Sequence, residues 1–419
     1  MGFASAYLKE KTLFPELIPE APDKGTGIIV VVPSCNETGI VDLLNSLDTC
    51  DRPLCSAEVI IIVNAPGDAT KETEANNLKT ISDIDAWSRD NPGCFFNLRG
   101  INVSGAEKDG WGVGMARKTG MDEAVRRFDG LDRPDGVIVS LDADCTVEKN
   151  YFTAIENGLR DRKDWSACSI YFEHPVSGTG FTSEEYRAVI LYELHLRYFY
   201  QGLLYSGYPY AHHTIGSALA LKALLYVKSG GMNRKAAGED FYFIQKLLPA
   251  GGFFDLNSTA VYPSPRRSLR VPFGTGATIS RLTVDPGNMM STYNLQAFSE
   301  LKSLFEMIDM IGQRSGDPVV IHEILPEGLR QFISPGEWQS KISEIRFNTA
   351  GTESFRKRFF GWFNMFRIVK FMNFVHSGLY PKKPVAEASH ELLRALGKET
   401  VEMDAPELLR YFRKLERDY

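Results

Sequence analysis

Three short aliphatic runs constrain this chain more than anything else in it: Gly27-Ile-Ile-Val-Val-Val32, Val59-Ile-Ile-Ile-Val63 and Val137-Ile-Val139. None alternates with polar residues, so each predicts a strand covered on both faces, as in a parallel sheet. Polar residues follow each run: Ser34-Cys-Asn-Glu37, Asn64-Ala-Pro-Gly67 and Asp142-Ala-Asp144. After the first strand, Ile40, Leu43, Leu44 and Leu47 show the spacing of a helix with one apolar face. After the second come a long polar helix, about 71 to 90, and a helix presenting Met121, Ala124, Val125 and Phe128. Strand–helix order with short links predicts an open α/β sheet, whose ligands bind beyond the carboxyl ends of its strands. Asn36, Asn64 and Asp142 all fall at such ends.

Side chains alternate along an extended chain, so Asp142 and Asp144 are expected to project the same way. Two carboxylates so placed can hold Mg²⁺, which takes one or two from a protein and completes its shell with phosphate and water. A plainer reading has Asp144 or Thr146 capping a helix that begins near Val147. The Asp-x-Asp pattern alone does not choose between them.

At 419 residues the chain is long for a single core. Three regions are expected: an N-terminal arm over 1–24 containing Pro15, Pro19 and Pro22, an α/β domain over 25–290, and helices over 291–419. The net charge of −6 argues against a nucleic-acid binder, which needs a basic face. All six cysteines lie within the first 168 residues, with no Cys-x-x-Cys pair, as expected of inert thiols in a reducing compartment. Lys9, Glu10 and Lys11 interrupt any N-terminal apolar core, and no apolar run is long enough to cross a bilayer. A cytoplasmic location is expected.

Five segments in this order resemble the family-2 glycosyltransferases of the GT-A fold. They are Val32-Pro-Ser-Cys-Asn-Glu37, Ala116-Arg-Lys118 with Ala124, Leu141-Asp-Ala-Asp144, the Gly230-Gly231 turn and Glu239-Asp240. The resemblance covers about residues 27 to 265 and leaves the helical C-terminal third outside. It implies a Rossmann-like, mixed and mostly parallel sheet flanked by helices. It also implies a nucleotide-sugar donor, Mn²⁺ or Mg²⁺, and transfer to an acceptor hydroxyl with inversion. The acceptor would be a carbohydrate, a lipid-linked molecule or a small molecule. On this resemblance Pro33, Asn36 and Glu37 surround the base and ribose, and Arg117 lies near the nucleotide. Asp142 faces the ribose or sugar, Asp144 binds the metal with Asp142 beside it, and Asp240 is the catalytic base next to Glu239. Asn64 stands where the family usually has an Asp-rich turn gripping the base, so the donor base stays open. No Gln-x-x-Arg-Trp motif follows, which implies non-processive transfer.

Weaker features have competing readings. Arg266, Arg267 and Arg270 fit a basic lid over a diphosphate, or a solvated charge cluster. His213 fits a third metal ligand, though a hydrogen-bonded structural histidine is the default for it and for His212. The tyrosine-rich stretch 192–210 fits sugar stacking or core packing. Residues 356–370 combine aromatics with five basic residues. They fit peripheral contact with the inner membrane face or, preferably, a helix within a bundle. Other functions stay open: a retaining GT-A enzyme resembling the mannosylglycerate or glucosyl-phosphoglycerate synthases, and a sugar-phosphate nucleotidyltransferase. The latter should carry a Gly-rich basic loop after the first strand, where this chain has Pro33-Ser-Cys-Asn-Glu37. Intact Asp142, Asp144 and Asp240 give no support to a catalytically dead binding module.

Overall fold

The computed structural model describes residues 2–104, 112–160, 164–233, 238–268, 274–285, 287, 289–398 and 403–418. They form two compact units, one of residues through 186, 212–280 and from 416 on, the other of 187–211 and 281–415. The helical unit therefore takes 187–211 out of the stretch expected to be one α/β domain, and 416 onward joins the first unit.

The first unit opens with helix α1 (Ser5–Lys11), followed by β1 (Thr26–Ser34), α2 (Ile40–Asp48), β2 (Ser56–Val63) and α3 (Lys71–Asp90). Then come β3 (Phe96–Asn102), α4 (Val113–Gly130), β4 (Val137–Ser140), β5 (Cys145–Val147), α5 (Tyr151–Arg160) and β6 (Ala167–Phe172). Helix α6 (Ser183–Ser206) leads mostly into the second unit; β7 (Leu219–Lys222), α7 (Ala223–Lys228), α8 (Glu239–Leu247) and β8 (Phe253–Pro263) complete the first. Among the described residues eight strands form one sheet in the order β3-β2-β1-β4-β7-β6-β8-β5. Only β7 and β5 run against their neighbours. This is the mixed, mostly parallel sheet flanked by helices that the sequence implies for a GT-A fold.

Every residue of β1 from Ile28 to Ser34 is buried, as an unbroken apolar run requires. Pro33 does not end the strand: it pairs in register with Ile62 of β2, whereas pairing with β4 stops at Val31. A missing N–H is tolerated where a strand has a partner on one side only. Helix α3 is capped by Thr70, whose side chain accepts the Thr73 N–H at 3.2 Å. Helix α4 lies on β1 and β2 through Gly120; a Cβ there would sit 2.4 Å from Val31 Cγ1 and 3.0 Å from Ile62 Cγ1. So close an approach leaves room for glycine alone.

The first 24 residues are not a free arm. Tyr7 and Tyr226 donate to the buried Asp122 of α4, Glu123 accepts the N–H groups of Leu17 and Ile18, and Arg127 donates to Glu20 O. The charges buried on α4 thus keep partners, as burial demands.

In the second unit, Tyr198 and Tyr208 of the tyrosine-rich stretch are core, whereas Tyr192, Tyr200, Tyr205 and Tyr210 are half-buried. Tyr198 is fully buried, donates to Tyr293 O at 2.8 Å and meets Phe298 edge-on. Residues 356–370 are no single amphipathic helix: one helix ends at Trp362, Asn364 caps the next, and Phe359, Phe360, Phe363 and Ile368 are buried. Arg356 pairs with Asp309, and Arg367 stacks over Trp362. Those buried aromatics face the interior of the unit. No described helix is long and apolar enough to cross a membrane.

Candidate active site

At the carboxyl ends of β1, β2 and β4 the backbone is tied together before any functional side chain is placed. Ser34 O accepts the Asn64 N–H, and Val31 O accepts that of Leu141. Asn64 donates its side-chain amide to Gly112 O, and its carbonyl accepts from Asn77. The other end of the Asn77 amide accepts the Asn36 N–H, and Asn76 donates to the Asn36 side chain at 2.6 Å. Asn36 has φ 54°, a left-handed conformation that asparagine tolerates better than most residues. Asn76 and Asn77 carried no signal in the sequence, because an amide on a polar helix looks like surface.

Arg117 is the hub. It is 2% exposed, lies on the first turns of α4, and sends Nη2 to Asp142 Oδ1 at 2.5 Å and Nη1 to Glu239. Burial would depress its pKa, but Asp142, Glu239 and Asp240 raise it, so the guanidinium stays charged. Asp240 accepts the Phe241 N–H at 2.7 Å and the Gly216 N–H at 3.0 Å. A Cβ on Gly216 would lie 2.6 Å from Arg117 Nη1 and 2.9 Å from Asp240 Oδ2. Gly216 is thus a site residue the sequence did not flag, since a lone glycine before a short strand has many explanations.

Burial pushes the Glu239 carboxyl up to about 7, against the pull of Arg117 and with Asp240 adding to the rise. Asp240 is likewise raised, by burial first, with Arg117 opposing. Glu239, named with Asp240 in the expected catalytic set, is 2% exposed and bound to Arg117.

A second arginine serves the other aspartate. Arg266 donates through Nε to Asp144 Oδ2 at 2.9 Å and through Nη2 to the buried Glu37. Glu37 therefore faces the acid pair through Arg266. Arg267 turns away, 3.3 Å from Glu185 near the start of α6, and is half exposed. Arg270, the third member of the basic cluster, lies outside the described residues, as does Asp109-Gly-Trp111 before α4.

His213, the candidate third metal ligand, meets Glu416 and Phe172. Its Nε2 lies 3.1 Å from Glu416 Oε2 and its ring meets Phe172 edge-on. Among the described residues no group of three or more His, Cys, Asp or Glu side chains is arranged to hold a metal. Asp142 and Asp144, 37% and 26% exposed, still offer two oxygen-donor groups at one strand end. That donor set fits a divalent ion that takes the rest of its shell from a bound diphosphate and water. It does not fit one held by protein alone.

No family model and no curated protein matches the sequence. Solved structures do show a likeness. TarS of S. aureus, residues 1–349, is 14% identical with a TM-score of 0.40, covering 79% of this chain and 89% of that one. Glucosyl-3-phosphoglycerate synthase from Mycobacterium tuberculosis with Mn²⁺, UDP and phosphoglyceric acid is 14% identical with a TM-score of 0.34, covering 55% and 69%. The mannosyltransferase PcManGT from Pyrobaculum calidifontis with GDP-Man and Mn²⁺ is 12% identical with a TM-score of 0.33, covering 99% and 92%. Likenesses this distant do not assign an activity.

Proposed function

We propose that this chain is a non-processive glycosyltransferase that moves a sugar from a nucleoside-diphosphate donor to an acceptor hydroxyl, with inversion. The observation that carries the reading is the Arg117 hub. One buried guanidinium joins Asp142, on the donor side, to Glu239, whose neighbour Asp240 is the one acid of α8 partly open to a second substrate. An acid pair at a strand end and a base held at fixed separation from it are what a displacement at an anomeric carbon requires.

In this reading Asn36, Asn64 and Glu37 border the nucleoside, and Asp142 receives the ribose or sugar. Asp144 and Asp142 would hold Mn²⁺ or Mg²⁺, which when bound offsets charge on the departing diphosphate. Asp240 takes the proton of the acceptor hydroxyl as its oxygen bonds to the anomeric carbon and the bond to the phosphate breaks. The Gly216 and Phe241 N–H groups keep the Asp240 carboxylate aimed while leaving it further lone pairs for that proton. Arg117 prevents Glu239 and Asp142 from repelling the base.

The test is a thermal-shift screen of UDP-, GDP- and other nucleotide sugars with and without Mn²⁺. The responding donor is then turned over and the product anomer read by NMR. Stabilisation of a few degrees by one donor, stronger with metal, and a product of inverted configuration are expected. Retention at the anomeric carbon would move the chain to the retaining alternative. No response to any nucleotide sugar would remove the reading altogether.

A further inference from the structure

The two aspartates of the pair are held by different arginines, and the two arginines differ in kind. Arg117 is buried, 2% exposed; Arg266 is 27% exposed and sits between Asp144 and Glu37. Its guanidinium occupies the place beside Asp144 Oδ2 that a metal ion would take. We infer that Arg266 is a resident counter-cation for Asp144, which keeps a bare divalent ion out and gives way only when the ion arrives with a diphosphate. This rests on the glycosyltransferase reading for the identity of the diphosphate, but not for the competition between arginine and metal.

Three observations carry the exchange. First, one carboxylate oxygen cannot keep a charge-assisted bond to guanidinium and coordinate a metal along the same direction, so the two cations compete. Second, the backbone around the arginine is pinned: Ser264 N–H donates to Asp144 O, and Cys145 pairs with Pro263 across β5 and β8. The side chain can therefore leave Asp144 while Ser264 stays bound to it. Third, Glu37 holds the other arm of the fork and is only 5% exposed. Arg266 can pivot on it and present its freed N–H groups to a phosphate oxygen, the partner that bidentate guanidinium fits best. A diphosphate thus supplies what a bare ion cannot, a new anion for Arg266. Metal and diphosphate are thereby coupled, each raising the affinity for the other by the same factor.

The experiment measures binding rather than turnover. Mn²⁺ alone is titrated into the full-length protein, Arg266→Ala, Arg266→Lys, Asp144→Asn and Arg266→Ala/Asp144→Asn, with free Mn²⁺ read by electron paramagnetic resonance. UDP and GDP are then added in separate runs. Arg266→Ala should bind Mn²⁺ alone roughly tenfold tighter than the unaltered chain, the worth of one hydrogen bond to a charged group. Arg266→Lys should fall between them, and the double variant should lose the gain. Adding the diphosphate that binds should tighten Mn²⁺ in the unaltered chain by more than in Arg266→Ala. Equal Mn²⁺ affinity in the unaltered chain and Arg266→Ala, with both folded by circular dichroism, overturns the inference. So does a gain that survives Asp144→Asn. If the metal-only arm gives the expected order but neither diphosphate binds, the competition between Arg266 and metal stands, its release by diphosphate is overturned for UDP and GDP, and a UDP- or GDP-sugar donor is excluded.

Discussion

At the scale of single residues, the acids on α8 set a testable pH dependence. Glu239 is pushed up to about 7 and its neighbour Asp240 is raised by the same burial, with Arg117 opposing. A base works only when deprotonated, so kcat/KM should rise with pH through a step that lies above the usual carboxylate range. Asp240→Asn should lower kcat by about 10²–10⁴ while donor affinity by calorimetry stays within about twofold. A donor affinity that falls as far as kcat would place Asp240 in donor binding instead. The sign for stability runs the other way. Glu239 holds its proton more tightly folded than unfolded, so the contribution to stability is complete below about 4.5 and is lost as pH rises towards 7. Asp142, Asp144 and Asp240 could be singled out from sequence only because their segments stand in the order of a family they resemble, since acids at strand and helix ends alone also fit capping. Gly216, Asn76 and Asn77 could not, because their value lies in what approaches them, and approach is a tertiary property.

At the scale of elements, the packing of α4 decides where Arg117 points. Gly120 sits one turn further along the helix, where its missing Cβ lets α4 reach Val31 and Ile62. Gly120→Ala sets two effects against each other. Alanine favours the helix by about 1 kcal/mol over glycine, while an extra methyl in a closed contact costs about 1–3 kcal/mol. Val31 is β-branched and fully buried in a central strand, so it gives little, and the packing cost should win. Urea unfolding should show a net loss of about 1 kcal/mol, with a lower midpoint and unchanged slope. A gain in stability would mean that α4 shifts freely on the sheet. The elements legible beforehand were those with an unbroken pattern along their length: the aliphatic runs of β1, β2 and β4, the helical spacing of α2 and α4, and the long polar run of α3. Strand β3 hid because Arg99-Gly100 breaks its alternation, and β5 and β7 because three or four residues carry no period. The reversal of direction at β7 is set by pairing with β4 and β6, which no local pattern encodes.

At the scale of the whole chain, the first 24 residues have the largest consequence that composition concealed. Their prolines and mixed charges read as an arm, yet they carry partners for charges buried on α4. Tyr7 and Lys118 share Asp122, which burial raises above the usual carboxylate range, and the Leu17 and Ile18 N–H groups meet Glu123. Removing residues 1–18 would leave Glu123 with Arg126 and Asp122 with Lys118 and Tyr226, each acid short of partners it has in the intact chain. An acceptor stripped of a buried hydrogen bond costs about 1–3 kcal/mol. With two such acids involved, the loss should be on the order of 3–5 kcal/mol, a large fraction of a typical domain's stability. The truncated chain should melt several degrees lower, with a loss that shrinks at low pH, where a protonated Asp122 or Glu123 no longer leaves a buried charge uncovered. The pH trend separates this account from simple loss of apolar contact, which would lower the melting temperature equally at every pH. Because α4 also carries Arg117, the same truncation should weaken donor binding even where the protein remains folded. Tyr7→Phe, which keeps the ring and removes one hydroxyl from Asp122, should show the same pH trend at a fraction of the size.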